Sequence, residues 1–173
     1  MGFPLWNFSL AVYGAGAVQE ECLDLQDRFG LDVNLILLCT FVGAVRGITL
    51  TADDIASARD EVRQWHEGIV RPLRAARRNL KAVALKDAKE TAAAAQLRSH
   101  VKSVELESEW IEQTALQRWA DARLAGRPSG KPPEAVAANL QALLVGYGVR
   151  EQLGAAQAMK HLIAAALDRV VDK

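Results

Sequence analysis

The sequence predicts an all-α protein, a single-domain bundle of about six to seven helices around a buried third helix. Apolar residues recur at intervals of three and four along nearly the whole chain, and the period of two that is typical of strands is nowhere sustained. Thirty alanines and 22 leucines agree with this, because both residues rank high in helix propensity.

The first three helices follow from start and stop signals. A helix is expected over Pro4–Tyr13, because proline is tolerated in a first turn, and a second is expected over Val18–Phe29. Gly30 is the expected left-handed end of the second helix. The third helix has Asp32 as its N-cap and runs to Arg46. It is apolar on every side, which is typical of a helix enclosed by others.

The middle of the chain predicts two further helical stretches. Thr51 and Asp54 form a capping-box-like start, and Pro72 must kink the helix or restart it. A long helix is expected over about Asp87–Ala125. Its apolar stripe is expected to face the core and consists of Leu97, Val101, Val104, Ser108, Ile111 and Ala115.

The composition changes at Gly126–Pro133, a stretch rich in glycine and proline that we interpret as a linker. The predicted organisation is therefore a helical core over residues 1–125, the linker over 126–133, and a C-terminal pair of helices over 134–173 that packs on the core. These two helices are expected over about 133–145 and 150–171.

The balance of charge excludes some classes of protein. The chain has 21 basic and 21 acidic residues, so it lacks the basic excess typical of nucleic-acid binding. The longest uncharged apolar stretch after the N-terminal segment, Leu35–Val45, is shorter than the ~20 residues of a membrane span. Cys22 and Cys39 are expected to be buried free thiols in a reducing compartment. We therefore expect a cytoplasmic protein without nucleic-acid or membrane partners.

Three polar clusters are candidates for a site. The first lies where helices two and three meet, and its informative member is Asn34, because a buried amide must find partners. One interpretation is that these side chains only join helix ends; the other is that they line a pocket for a ligand or a metal. The cluster consists of Asp24, Gln26, Asp27 and Asn34.

The second and third clusters have opposite charges. Arg74, Arg77 and Arg78 follow helical spacing beside an apolar stripe, and Glu105 and Glu109 share a face of the long helix. The arginines either pair with carboxylates of the chain or hold an anionic, phosphorylated ligand, since guanidinium groups suit both. The histidines stand apart from one another and lack the spacing of a zinc site, so we expect neither metal nor cofactor.

The same clusters carry a family resemblance. The chain has Leu25-Gln26-Asp27 followed by Gly30 and Asp32-Val33-Asn34, and later Pro72-Leu73-Arg74 followed by Arg77-Arg78. In these residues it resembles a family of small proteobacterial proteins known only as a domain of unknown function. The resemblance implies a bacterial, cytoplasmic, helical protein, and it implies no activity or catalytic residues.

Two functional hypotheses remain. The sequence contains no nucleophile elbow, phosphate loop, dinucleotide fingerprint or paired-cysteine motif. This absence, together with Trp110 and Trp119 on an expected exposed face, favours a non-enzymatic protein that acts through protein contacts, as a homodimer or an adaptor. The alternative is a pocket of the bundle that binds an anionic or phosphorylated small molecule, and whether the ligand is also turned over is left open.

Overall fold

The computed structural model describes residues 4–149 and 155–171, and all the regular structure in these ranges is helical. The all-α fold class is confirmed. The helices are α1 (Pro4–Tyr13), α2 (Val18–Phe29), α3 (Val33–Arg46), α4 (Ala52–Trp65), α5 (Arg71–Ala82), α6 (Ala88–Arg123), α7 (Pro132–Gly146), α8 (Ala155–Ala158) and α9 (Lys160–Val171), with a π-helical turn, His66–Val70, between α4 and α5. No helix in the described ranges is both long and apolar enough to cross a membrane.

The chain divides into two compact units. The first, which we call the core unit, consists of residues 1–61 and 113–173, and the second, the hairpin unit, consists of residues 62–112. The boundaries fall inside α4 and α6. The separation of residues 1–125 from 134–173 at a linker stays a prediction. In the structure, α7 and α9 belong to the same compact unit as α1, α2 and α3.

Helix α3 is the centre of the core unit, as its all-apolar sequence predicts. Every residue from Val33 to Ala44 is buried, and α1, α2, α7 and α9 all pack against this helix. The Asp32 side chain accepts a hydrogen bond from the Asn34 backbone N–H, so the predicted N-cap is confirmed. Gly47 ends the helix with a φ of 65°, a conformation that favours glycine.

The contact between α3 and α7 brings two backbones together. A Cβ atom added at Gly43 would lie 2.6 Å from the Val136 backbone nitrogen and 2.7 Å from its Cα, so only glycine allows this approach. One turn further along α7, the buried Asn139 amide donates to the carbonyls of Cys39 (3.1 Å) and Ile48 (2.9 Å). Its oxygen accepts from the Leu50 backbone N–H at 2.7 Å.

The residues of the predicted linker contact the end of α3. The Gly130 N–H donates to the Gly47 carbonyl at 2.7 Å, and the Ser129 hydroxyl donates to the Arg46 carbonyl at 2.8 Å. Orphan carbonyls at the C-terminus of α3 are thereby satisfied by the segment that leads into α7.

The start of α4 depends on a buried carboxylate. Asp54 accepts hydrogen bonds from the backbone N–H and the hydroxyl of Thr51, at 3.0 and 2.9 Å, which confirms the capping interaction. Asp54 also forms ion pairs with Arg127 at 2.6 Å and Arg123 at 3.2 Å. The Arg127 guanidinium, supported by Thr51 and Arg123, outweighs the effect of burial and holds the pKa of Asp54 well below its usual range.

Replacing Gly43 by alanine is expected to lower the free energy of unfolding by about 1–3 kcal/mol, because rigid backbone atoms of α7 occupy the place of the new methyl group. Urea unfolding measures the change. The matched control is Gly146→Ala on α7, whose added Cβ would meet only the Ile55 Cγ2 atom at 3.8 Å. Equal effects of the two substitutions would contradict the close approach.

Asp54→Asn is expected to lower the free energy of unfolding by about 1–3 kcal/mol at neutral pH, because the carboxylate charge that pairs with Arg123 and Arg127 is lost. Since the native pKa is depressed, the contribution of Asp54 is present above the unfolded-state pKa of about 3.9 and is lost as the pH falls towards the native value. Urea unfolding should therefore show a difference between wild type and variant that shrinks below about pH 4. The control Asp53→Asn changes an exposed carboxylate of the same helical turn. A difference that stays constant down to pH 2.5 would refute this role.

Candidate functional site in the hairpin unit

The hairpin unit begins with a π-helical turn that accommodates Pro72. In a regular α-helix, the proline ring would clash with the carbonyl of the residue four positions earlier. Here the Arg71 N–H donates to the His66 carbonyl, five residues back, and the widened turn lets α5 follow α4 directly. Pro72 therefore lies in the first turn of α5, where its missing N–H costs little.

Side-chain contacts show that α5 and α6 run antiparallel. Trp65 donates from its indole nitrogen to the Ser108 carbonyl at 3.0 Å, and His66 Nδ1 lies 3.2 Å from the Glu112 carboxylate. Further along α5, Arg74 and Arg77 contact Glu105, which precedes Ser108 on α6. The pairs thus advance along α5 while they move back along α6, which defines a helical hairpin.

Two of the predicted clusters meet in this hairpin. Arg74 contacts Glu105 at 3.3 Å through Nε and Glu109 at 2.7 Å through Nη2. Arg77 holds the other oxygen of Glu105 through Nε and reaches Oε1 through Nη2 at 3.2 Å. Glu105 is buried, so its charge needs these partners to offset its desolvation.

The predicted members of the first cluster lie in the core unit. Asp24 pairs with Arg28 one turn later at 2.8 Å, and both side chains are about half exposed. The Gln26 amide lies 3.5 Å from Asp27, a long separation for a hydrogen bond. Asn34 is buried, and its amide oxygen accepts from Gln113 Nε2 at 2.8 Å. A single site that joins these four residues to Arg74, Arg77, Arg78, Glu105 and Glu109 stays a prediction.

Some polar residues of the interior were not anticipated. Gln113 and Gln117 lie one turn apart on α6, and Gln117 accepts from the Leu5 backbone N–H at 2.9 Å. Asn139 joins α7 to the middle of α3, at Cys39, and to the segment after it, at Ile48. Their signal in the sequence is weak, because an isolated amide within a helix is equally typical of a solvent-exposed face.

The expected apolar stripe of α6 is wrong in part. Leu97, Val104 and Ile111 were expected to face the core, but their side chains are 52, 47 and 42% exposed. Ser108, another residue of the expected stripe, is buried. The reason is that α5 is strongly basic, so α6 turns its glutamates towards α5. We call the three exposed residues, spaced seven apart, the apolar row.

The two tryptophans expected on an exposed face differ. Trp110 is exposed, as expected, but Trp119 is buried in the core unit, where its indole nitrogen donates to the Ser57 hydroxyl at 3.0 Å. The expectation for Trp119 was therefore wrong: the hydrogen bond to Ser57 satisfies its polar atom and allows the ring to be buried.

The two cysteines are poor nucleophiles. Both are free and buried, as predicted, and burial raises the pKa of Cys22 and of Cys39 to about 12. A thiol with such a pKa is protonated at neutral pH, whereas the thiolate is the reactive form.

Fold and site together define a class: an all-α protein with a helical hairpin whose interior holds paired charges and whose surface carries a row of apolar side chains. The chain belongs to the family described as protein of unknown function (DUF2390), whose model matches residues 4–116. This match confirms the resemblance to a domain of unknown function and includes the whole hairpin unit. No curated protein and no solved structure matches the chain.

Arg77→Ala is expected to lower the free energy of unfolding by about 1–3 kcal/mol, because Glu105 stays buried with one partner fewer. Urea unfolding measures this loss. The control is Arg71→Ala, which removes an exposed guanidinium from the same helix.

A thermal-shift assay with inorganic diphosphate and Mg²⁺ should show no stabilisation of wild type, since ligands of the native state raise the melting temperature. Clear stabilisation that Arg77→Ala abolishes would instead indicate an anion site.

Proposed function

We propose that the protein acts through protein contacts rather than by catalysis, and that the apolar row of the hairpin unit is its contact surface. The observation that carries the proposal is the row itself. Three large apolar side chains, 42 to 52% exposed, follow one another at intervals of seven residues on one helix. Scattered exposed apolar residues need no explanation, but an aligned set is typical of an interaction site.

The charged interior of the hairpin supports this proposal over ligand binding. Arg74 and Arg77 are engaged by Glu105 and Glu109, so an incoming anion would have to displace the buried Glu105 carboxylate and the partly exposed Glu109 carboxylate. Leaving a buried charge such as Glu105 without its partner costs about 3–5 kcal/mol. The network is therefore better suited to holding α5 and α6 together than to exchanging ligands.

A two-helix hairpin also has little interior in which to bury apolar surface. None of the residues of α5 is buried, and Leu106 and Trp110 on α6 are exposed in addition to the apolar row. Helices in proteins gain most of their stability from tertiary packing of an apolar face. A partner on the apolar row would supply this packing.

We also propose, from the sequence, that the protein is bacterial and cytoplasmic.

Val104→Glu is expected to weaken association of the protein at least tenfold, because a charge would have to be buried at the centre of the contact. Sedimentation and light scattering of the purified chain, together with capture from lysate, measure association. The matched control is Ser103→Glu, which adds the same charge one residue away at an exposed position outside the row.

Two results would overturn the proposal. One is a wild-type protein that is strictly monomeric and captures nothing from lysate. The other is an association that Val104→Glu and Ser103→Glu leave equally strong, because the contact surface would then lie elsewhere.

A further inference from the structure

We propose that the partner of the apolar row is a second copy of this chain, with the two α6 helices antiparallel and a two-fold axis at Val104. This inference rests on the proposed function, because it names the partner of the same surface. It is carried by the symmetry of the row about its middle residue and by the charges that border it.

The row is symmetric about Val104. Leu97 precedes Val104 by seven residues and Ile111 follows it by seven, and all three side chains are exposed. In an antiparallel pair centred on Val104, this residue meets its own copy, and Leu97 meets Ile111 of the other chain at both ends. In a two-fold dimer interface, residue i of the first chain contacts residue j of the second, and residue j of the first chain contacts residue i of the second.

The bordering polar residues favour the antiparallel orientation. His100 and Glu107 are exposed and lie on the same side of the row, His100 between Leu97 and Val104, and Glu107 between Val104 and Ile111. In the antiparallel pair, His100 of each chain lies within one residue of level with Glu107 of the other and on the same side of the contact, which gives two equivalent pairs. In a parallel pair, His100 would instead lie at the same height as His100 of the other chain, and Glu107 at the same height as Glu107 of the other chain.

Glu107 is the acid that borders the row. Of the four acids in residues 105–112, Glu105 and Glu112 are buried, Glu109 pairs with Arg74, and Glu107 is exposed. Complementary polar groups beside an apolar seam are a general determinant of orientation in helix pairs, so His100 and Glu107 favour the antiparallel arrangement.

Cysteine cross-linking distinguishes the orientations. Three single variants are prepared, Leu97→Cys, Val104→Cys and Ile111→Cys, and mild oxidation is followed on non-reducing gels. The wild type is a suitable background, because Cys22 and Cys39 are buried and each has a pKa of about 12. The antiparallel dimer predicts that Val104→Cys links to itself. It also predicts that Leu97→Cys links to Ile111→Cys in a mixture, and that neither of these two links to itself.

Charge reversal provides a second, independent measurement. Glu107→Lys should weaken self-association by up to about tenfold, because it sets a lysine against His100 at both ends of the contact. The double variant His100→Glu/Glu107→Lys should restore it, since a carboxylate and an ammonium group then face each other at both ends of the contact. A merely structural role of Glu107 predicts no such rescue.

The outcomes separate this inference from the proposed function. Efficient self-linking of Leu97→Cys would overturn the antiparallel orientation. A monomeric purified chain that binds another protein in a manner sensitive to Val104→Glu would overturn the second copy and keep the proposed function. Self-association that is insensitive to Val104→Glu, with no link at the three positions, would overturn both.

Discussion

The core unit depends on the close approach of α3 and α7. At Gly43 the absence of a side chain lets the α7 backbone lie against the most apolar helix of the protein. Asn139 then makes three hydrogen bonds to backbone groups, one in the middle of α3, at Cys39, and two just after the helix, at Ile48 and Leu50. The apolar contact gives this helix pair its stability, and the amide fixes its register, because any sliding of α7 would leave buried polar groups unpaired.

The hairpin unit uses the opposite chemistry. Its two helices are joined by arginine–glutamate pairs, and no residue of α5 is buried. Such pairs contribute modest net stability, since much of the attraction offsets desolvation, but they strongly disfavour any other alignment of the helices. They also direct the glutamate face of α6 inward, and the apolar row is consequently left on the surface. The exposed row is thus a consequence of how the hairpin is held together.

The sequence predicted what depends on local signals. The Asp32 cap, the left-handed end at Gly30 and the end of α3 at Arg46 follow from short-range chemistry, and the burial of α3 follows from its composition. The pairing of Arg74 with Glu105 was among the alternatives because the spacings matched. The roles of Gly43 and Asn139 were not predictable, because they depend on which helix lies opposite. The orientation of α6 was mispredicted because periodicity identifies an apolar stripe without showing whether a partner covers it.

The division of the core unit in sequence has a consequence for synthesis. Helix α3 leaves the ribosome long before α7, and the intervening residues include the entire hairpin unit. At translation rates of about 5–20 residues per second, several seconds pass between the synthesis of α3, the most apolar helix, and the synthesis of α7, which packs against it. During this interval α3 is a candidate for transient shielding by a chaperone, and the core closes only after the hairpin unit and α7 have been synthesised.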